Sequence, residues 1–272
     1  MQVNNFTFVY LQKASKYKQY LKLMKTTNKT VLITGGGSGI GFEIAKLFSE
    51  NGSKVIITGR SEERLKAAAA KLTNVDYYAT DVTKDADVAQ LVAYLNAEYP
   101  TLDVLINNAG NAALHKVGAG EIDSEKLKEE IATNYLSPIN LTEKLLPLLE
   151  KQPEAAVVNV TSIVALAPSI SIPTYSASKA ALRSFTQILR FALHKKGSPV
   201  KVFELMPPLV NTDFSKEIGG ENGIPPQQVA QDLLNAFETE TYEVHVGTTD
   251  YIYQNFFKGS ENAVAALNQG RE

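Results

Sequence analysis

From residue 30 onward the chain alternates between two textures. Short, largely apolar runs rich in β-branched and aromatic residues recur at 30–34 (T-V-L-I-T), 54–58 (K-V-I-I-T) and 75–79 (V-D-Y-Y-A). Others follow at 103–107 (D-V-L-I-N), 155–161 (A-A-V-V-N-V-T), 200–205 (V-K-V-F-E-L) and 242–246 (Y-E-V-H-V). Between them, apolar residues at helical spacing predict helices over 40–51, 62–72, 85–99, 124–134, 139–151 and 227–237. A further helix carries Tyr175 and runs to about Lys196, where Gly197 and Pro199 stop it. Strands apolar on both faces and alternating with helices form a parallel sheet covered on both sides. With right-handed crossovers this predicts an α/β, doubly wound (Rossmann), seven-stranded parallel sheet in a single domain.

The two ends do not share this rhythm. Residues 1–28 hold an apolar piece at 6–11, too short for a signal-peptide core, and then a basic, tyrosine-rich stretch at 13–25. They read as an N-terminal extension, or as the product of a start upstream of Met24, with the domain boundary near Asn28. The catalytic domain is expected over 29–250, and 251–272 as a C-terminal tail. A loop with several Gly and Pro covers 207–226, and its part at 213–226, rich in Gly and polar residues, has the composition of a lid that orders when a ligand binds.

Composition narrows the function classes. A length of 272 residues suits one large α/β domain, and Lys+Arg 27 against Asp+Glu 29 gives net −2, with no general pull toward nucleic acid. The absence of cysteine removes disulfides, thiolate nucleophiles and Cys-based metal sites, and suits the cytoplasm. His115, His194 and His245 are too scattered to predict a metal site. No apolar run approaches the ~18 residues of a membrane span, so neither a membrane nor a nucleic acid is expected as partner.

Candidate chemistry begins right after the first strand, with T-G-G-G-S-G-I-G at 34–41. Glycines there permit a tight turn, let backbone approach a pyrophosphate and bring the following helix close to the sheet. The helix N-terminus then offers free N–H groups to phosphate. Gly35, Gly37, Ser38, Gly39, Ile40 and Gly41 are accordingly expected to hold a dinucleotide. At the end of the second strand a carboxylate would bind the 2′-hydroxyl of NAD, whereas an arginine accommodates the 2′-phosphate of NADP. The sequence there is I-T-G-R-S, so Arg60 predicts NADP(H); the alternative is a solvated residue at a helix start with Ser61 as its cap. Asp81 follows the third strand and could accept from the adenine amino group, or simply close a turn. N-N-A-G at 107–110 offers small residues beneath a cofactor.

The acid–base candidates lie between 161 and 179. Ser162 ends an apolar strand, and Tyr175 and Lys179 stand four residues apart on one helix face. A phenol with its ordinary pKa of about 10 transfers protons poorly at neutral pH. A lysine charge nearby favours the phenolate and moves that value toward the working range. Tyr-x-x-x-Lys alone is common on amphipathic helices, so the neighbouring motifs carry the weight.

Taken in order, T-G-G-G-S-G-I-G, Asp81-Val82, N-N-A-G, Ser162 and Y-S-A-S-K resemble the short-chain dehydrogenase/reductase family across 29–246, most of the chain. The resemblance implies that Tyr175 donates and accepts the proton, Lys179 lowers its pKa and binds the nicotinamide ribose, and Ser162 orients the substrate oxygen. It further implies that Asn134 holds a water linking Lys179 to solvent, and that Val82, Asn108, Ala109 and Gly110 line the cofactor path. Pro207, Val210 and Thr212 fall where the family contacts the nicotinamide end. Two features depart from the family pattern: Pro208 replaces its usual glycine and stiffens the approach, and Ser38 stands where NADP-using relatives often carry a basic residue. The segments T-V-L-I-T-G-G, I-T-G-R and E-V-H-V-G look most like a bacterial subgroup of little-characterised reductases.

The expected activity is NADPH-dependent reduction of a ketone or aldehyde to an alcohol, reversible, with Tyr175 as general acid/base. Ser162, Ile163, Ile172, Leu209 and Phe214 are expected at the substrate. None carries a charge, which suits an apolar or aromatic carbonyl compound. The alternative is a regulatory protein that senses NADP(H) without turnover, and the full Asn134, Ser162, Tyr175 and Lys179 set argues against it. A methyltransferase also begins with a Gly-rich turn, but leaves Y-S-A-S-K and N-N-A-G without a purpose. Apolar residues beyond one stripe of the helix Pro173–Lys196 predict a homodimer or homotetramer.

Overall fold

The structure is a computed structural model that describes residues 24–269 apart from 119 and 121. Residues 1–23 of the expected N-terminal extension lie outside the described residues. Seven parallel strands form one sheet in the order β3-β2-β1-β4-β5-β6-β7. They are β1 Thr30–Thr34, β2 Lys54–Gly59, β3 Val75–Ala79, β4 Val104–Asn107, β5 Ala155–Val160, β6 Val200–Met206 and β7 Glu243–His245. The helices are α1 Gly39–Glu50, α2 Glu62–Ala69, α3 Asp85–Glu98, α4 Ser124–Ile131, α5 Ser137–Leu149, α6 Pro173–Lys196, α7 Pro226–Thr239, α8 Thr249–Lys258 and α9 Ser260–Asn268.

Side-chain alternation explains why these strands are apolar throughout. In register, Leu32, Ile56, Leu105 and Val157 point to one face and pack on Leu91 and Leu95 of α3, Leu145 of α5 and Leu189 of α6. Val31, Ile33, Val55, Ile57 and Ile106 point to the other, against Ile44 and Phe48 of α1 and Leu233 and Phe237 of α7. Phe237 meets Phe48 and Phe203 edge-on, with centroids 6.0 and 4.6 Å apart. β1 lies between β2 and β4, so the crossovers leave in opposite directions there and open a crevice at the C-terminal ends of the strands.

Three boundaries differ from the sequence expectation. Met24 is buried in the core with Val31 and Phe48, and the Lys25 N–H donates to Glu154 Oε2 at 3.2 Å. The domain therefore begins before Asn28, because one apolar residue and one backbone bond tie the preceding segment to the sheet. The expected tail 251–272 is largely α8 and α9, whose Ile252 and Ala263 pack with Ile163, Ile172 and Tyr175 in a third apolar group beyond the strand ends. Finally, the two helices expected over 124–134 and 139–151 are one helical run through a π-helical turn, Ala132–Leu136. Pro138 explains the wider turn: it has no N–H for the Asn134 carbonyl four residues back, and its ring would collide there in an ordinary helix.

Candidate active site

The first wall of the crevice is the turn between β1 and α1. Gly35 adopts φ +66°, and a Cβ there would lie 3.0 Å from both Ala109 Cα and Asn108 Nδ2. At Gly41 a Cβ would come within 2.5 Å of Asn108 Nδ2 and of the Gly35 carbonyl. α1 begins at Ser38 without a side-chain cap, so its first N–H groups face the crevice unpaired by any side chain. The close backing of the turn, which a Cβ would push apart, together with the uncapped helix start, fits a dinucleotide phosphate.

Asn108 and Thr34 lock this turn to the sheet. Asn108 Nδ2 donates to the Thr34 and Gly35 carbonyls at 3.0 and 3.2 Å, and Thr34 Oγ1 accepts from the N–H groups of Asn108 and Ala109, each at 3.0 Å. Asn108 thus shapes the cradle from behind. Thr34 was not singled out from the sequence, although a buried β-branched hydroxyl at a strand end is the available signal.

A cleft of about 360 Å³ runs from this turn to the acid–base group. Of the expected cofactor residues, Gly35, Ser38, Gly39, Ile40, Asn108, Ala109 and Gly110 line it. Tyr175, Lys179, Pro207, Val210 and Thr212 line it further along. Gly37, Gly41, Arg60, Asp81 and Val82 do not, and neither does Asn134, expected in the proton relay. Gly41 acts behind the turn. Arg60 is exposed just past β2 and makes no ion pair among the described residues, while Ser61 caps α2 by accepting from the Arg64 N–H at 3.3 Å. Asp81 closes its own turn, accepting from Thr83 Oγ1 at 2.7 Å and the Thr83 N–H at 3.1 Å. Burial raises the Asp81 pKa, but these bonds and the charges of Lys84 and Arg60 outweigh it and leave the carboxyl below its usual range.

Ser162, Tyr175 and Lys179 converge at the ends of β5 and α6. Ser162 hydrogen-bonds the Tyr175 phenol, and its Oγ also accepts weakly from the Val164 N–H at 3.3 Å. Lys179 Nζ lies 5.5 Å from the Tyr175 ring centroid and donates to the Val160 carbonyl at 2.8 Å. Burial pushes Lys179 down to about 7. Burial likewise pushes Tyr175 above its ordinary value; the Ser162 bond pulls it back and the charge of Glu130 adds to the rise. The lowered phenol expected from Lys179 is therefore not the balance in this arrangement, where loss of solvent outweighs the neighbouring groups.

Asn134 is fully buried in the π turn, and its amide is already committed. Oδ1 accepts from the Asn111 N–H at 2.8 Å, while Nδ2 donates to the Asn111 carbonyl at 2.7 Å and to Ser178 Oγ at 2.9 Å. It pins the loop after β4 against α6.

The substrate end is apolar. Ile163, Ile172, Leu209 and Phe214 line the cleft as expected, and Phe214, half-exposed in the short 3-10 helix Asp213–Ile218, sits 5.9 Å from Tyr175 between ring centroids. Sequence reasoning missed Val164, Asp213, Ser215, Ile218, Thr248 and Leu267, which also line the cleft. Leu267 comes from α9, held over the site by Asn268: its Nδ2 donates to the Pro168 carbonyl at 2.8 Å and its Oδ1 accepts from the Ile170 N–H at 2.7 Å. The helical spacing of Ala263, Val264, Ala266 and Leu267 was the signal for this element. Among the described residues there is no cluster of metal ligands, and no helix is long and apolar enough to cross a membrane.

A sequence profile of the short chain dehydrogenases matches residues 29–223. An uncharacterized oxidoreductase, DltE, of Bacillus subtilis is 43% identical over 208 residues, 74% of this chain and 79% of that protein. The serine 3-dehydrogenase of Agrobacterium fabrum is 38% identical over 194 residues, 71% of this chain and 76% of its own. Among solved structures, a short chain dehydrogenase from Burkholderia cenocepacia in complex with NADP superposes with TM-score 0.78 at 26% identity, covering 89% of this chain and 98% of its own. A family member from Burkholderia phymatum in complex with NAD gives TM-score 0.82 at 22% identity, covering 88% and 95%, a likeness of fold.

Proposed function

The chain belongs to the short-chain dehydrogenase family and is an oxidoreductase, and from that premise we propose that it is an NADPH-dependent reductase of apolar or aromatic ketones and aldehydes, reversible toward the alcohol. The observation that carries this reading is the convergence of Ser162, Tyr175 and Lys179 on one cleft with the glycine turn at its other end. Similar proteins bind NAD in one case and NADP in another, so the choice of NADP rests on Arg60 and on the lack of a carboxylate directly after β2.

When bound, the nicotinamide cofactor supplies the hydride. The chain's own residues supply placement and the proton. The N–H groups at the start of α1 and the glycine turn hold the pyrophosphate, and Arg60 takes the 2′-phosphate. Thr212 and Val210 hold the carboxamide end, and Lys179 the nicotinamide ribose. Ser162 donates to the substrate carbonyl and fixes it beside Tyr175, which gives its phenolic proton to the developing alkoxide oxygen. A phenol pushed up by burial is protonated across the neutral range, which suits a proton donor in the reductive direction. The Asn134 carbonyl seats the water that returns a proton by way of Lys179.

The apolar wall of Ile163, Ile172, Leu209, Phe214 and Leu267 sets the substrate class. Ile188 and Phe191, both more than half exposed on α6, support a homodimer or homotetramer through that helix, and light scattering on a size-exclusion column giving a 29.7 kDa species would overturn it. The function is tested by following NADPH oxidation with aryl and alkyl carbonyl compounds. Turnover that requires Tyr175 supports it, and cofactor binding without turnover supports the sensor reading.

A further inference from the structure

Glu130 is the one buried carboxylate in α4, and the family reading gives it no role. It has no exposed surface, in a helix whose other charges face solvent. Its Oε1 accepts from the Ala113 N–H at 2.6 Å, and its Oε2 has no hydrogen-bond partner among the described residues. A buried carboxylate with an open oxygen is destabilising, so its presence calls for an explanation. One turn further on, Asn134 grips Asn111 through both its N–H and its carbonyl. The two side chains thus hold Asn111 and Ala113, on either side of Ala112, in the loop directly after Gly110. That loop packs behind the site: Gly110 lines the cleft, Ala112 packs against the apolar group that contains Tyr175 and Ile172, and a Cβ on Gly110 would lie 3.9 Å from Lys179 Nζ.

We propose that Glu130 is a positioning residue for the reductase reaction, clamping residues 111–113 against the Tyr175 pocket together with Asn134 while its buried negative charge bears on proton transfer at Tyr175. The inference rests on the reductase reading above. The charged and titratable groups around the phenol are Lys179 on its own helix and Glu130 on α4, with His115 buried two residues beyond Ala113 in the clamped loop; the end of β5 contributes the Ser162 hydroxyl. A negative charge held in this apolar surrounding opposes the phenolate, in line with the raised proton affinity of Tyr175.

Two variants separate the clamp from the charge. E130Q keeps an acceptor of the same reach for the Ala113 N–H and removes the charge; E130D keeps the charge and shortens the reach. The probe reaction is NADPH reduction of 4-nitrobenzaldehyde across pH, with amide hydrogen exchange of the peptide spanning 108–115 measured on the same proteins. E130Q is expected to move the alkaline limb of the rate profile down by about half a pH unit or more, with exchange as in the wild type. E130D is expected to leave the limb in place, lower turnover about tenfold and raise exchange of that peptide. A limb that stays put in E130Q, or a peptide equally protected in E130D, overturns the proposal. If one variant does not fold, the other still decides it. Absence of turnover in the wild type itself would count against the reductase reading instead, and the exchange comparison would still decide the clamp.

Discussion

Lys179 sets its ammonium 5.5 Å from the centre of the Tyr175 ring while spending a hydrogen bond on the Val160 carbonyl at 2.8 Å. The pair is so deeply buried that both groups are driven toward their neutral forms, Lys179 down to about 7 and Tyr175 upward. The folded protein therefore resists protonating Lys179, whereas the unfolded chain accepts that proton up to its ordinary value of 10.5. Between those values the unfolded state binds more protons, so this residue makes stability rise with pH across the window and is most costly below 7. Lys179→Met is expected to be the more stable protein at pH 7, by on the order of 4 kcal/mol. That difference should vanish toward pH 10.5, while turnover is lost. Urea midpoints at neutral and alkaline pH, compared between the two proteins, check the sign.

Tyr175→Phe removes the proton donor and keeps the ring against Phe214. Turnover should fall by roughly 10²–10⁴, with NADPH affinity and the thermal midpoint little changed. Steady-state rates beside a cofactor titration and a melting curve would show whether the loss is chemical or structural.

Arg60 follows β2, where the proposed function puts the 2′-phosphate, and is exposed, so its replacement should not disturb the fold. Arg60→Glu is expected to weaken NADPH binding about tenfold to a hundredfold and to leave NADH binding unchanged or improved. Fluorescence titration with each cofactor measures it.

The glycine turn makes a sharper steric prediction. A Cβ on Gly41 would meet Asn108 Nδ2 and the Gly35 carbonyl at 2.5 Å, whereas one on Gly37 would meet Leu65 at an ordinary 3.5 Å. Gly41→Ala should reduce cofactor affinity at least about tenfold because the backbone that faces the phosphates must shift. Gly37→Ala should bind nearly as the wild type does, and equal losses in the two would contradict this account of the turn.

Leu267 brings α9 to the substrate end of the cleft. Leu267→Ala is expected to lower KM for bulkier carbonyl compounds and leave the KM for NADPH as it was. A series of ketones of increasing size, assayed on both proteins, provides the check.

Much of this was legible in the sequence because the central strands are buried on both faces. Val31-Leu32-Ile33 and Val55-Ile56-Ile57 have no polar alternation to misread, and their bounds hold to within a residue. The candidate acid–base side chains were legible because their spacing is local: Tyr175 and Lys179 are neighbours on a helix whatever the rest of the chain does. What escaped notice depends on distant partners. Met24 is anchored by a core formed many residues later, and α9 is anchored by the Asn268 bonds to a loop about a hundred residues earlier. Glu130 sits in S-E-K-L-K-E-E-I, which reads as a solvated helix face; its burial and its bond to the returning loop at Ala113 come from the tertiary fold. The proton balance at Tyr175 was also misjudged, since sequence gives the charge of Lys179 but not how completely both groups leave water.

The most direct test of the central claim follows the absorbance of the reduced nicotinamide when purified protein meets NADPH and, separately, NADH, with a panel of aryl and alkyl ketones and aldehydes. Tyr175→Phe is assayed beside the wild type. The account predicts oxidation of NADPH in preference to NADH, strongest on apolar or aromatic carbonyl compounds and abolished in the variant. Cofactor binding by thermal shift with no turnover on any carbonyl compound, or on the corresponding alcohols with NADP, would contradict it.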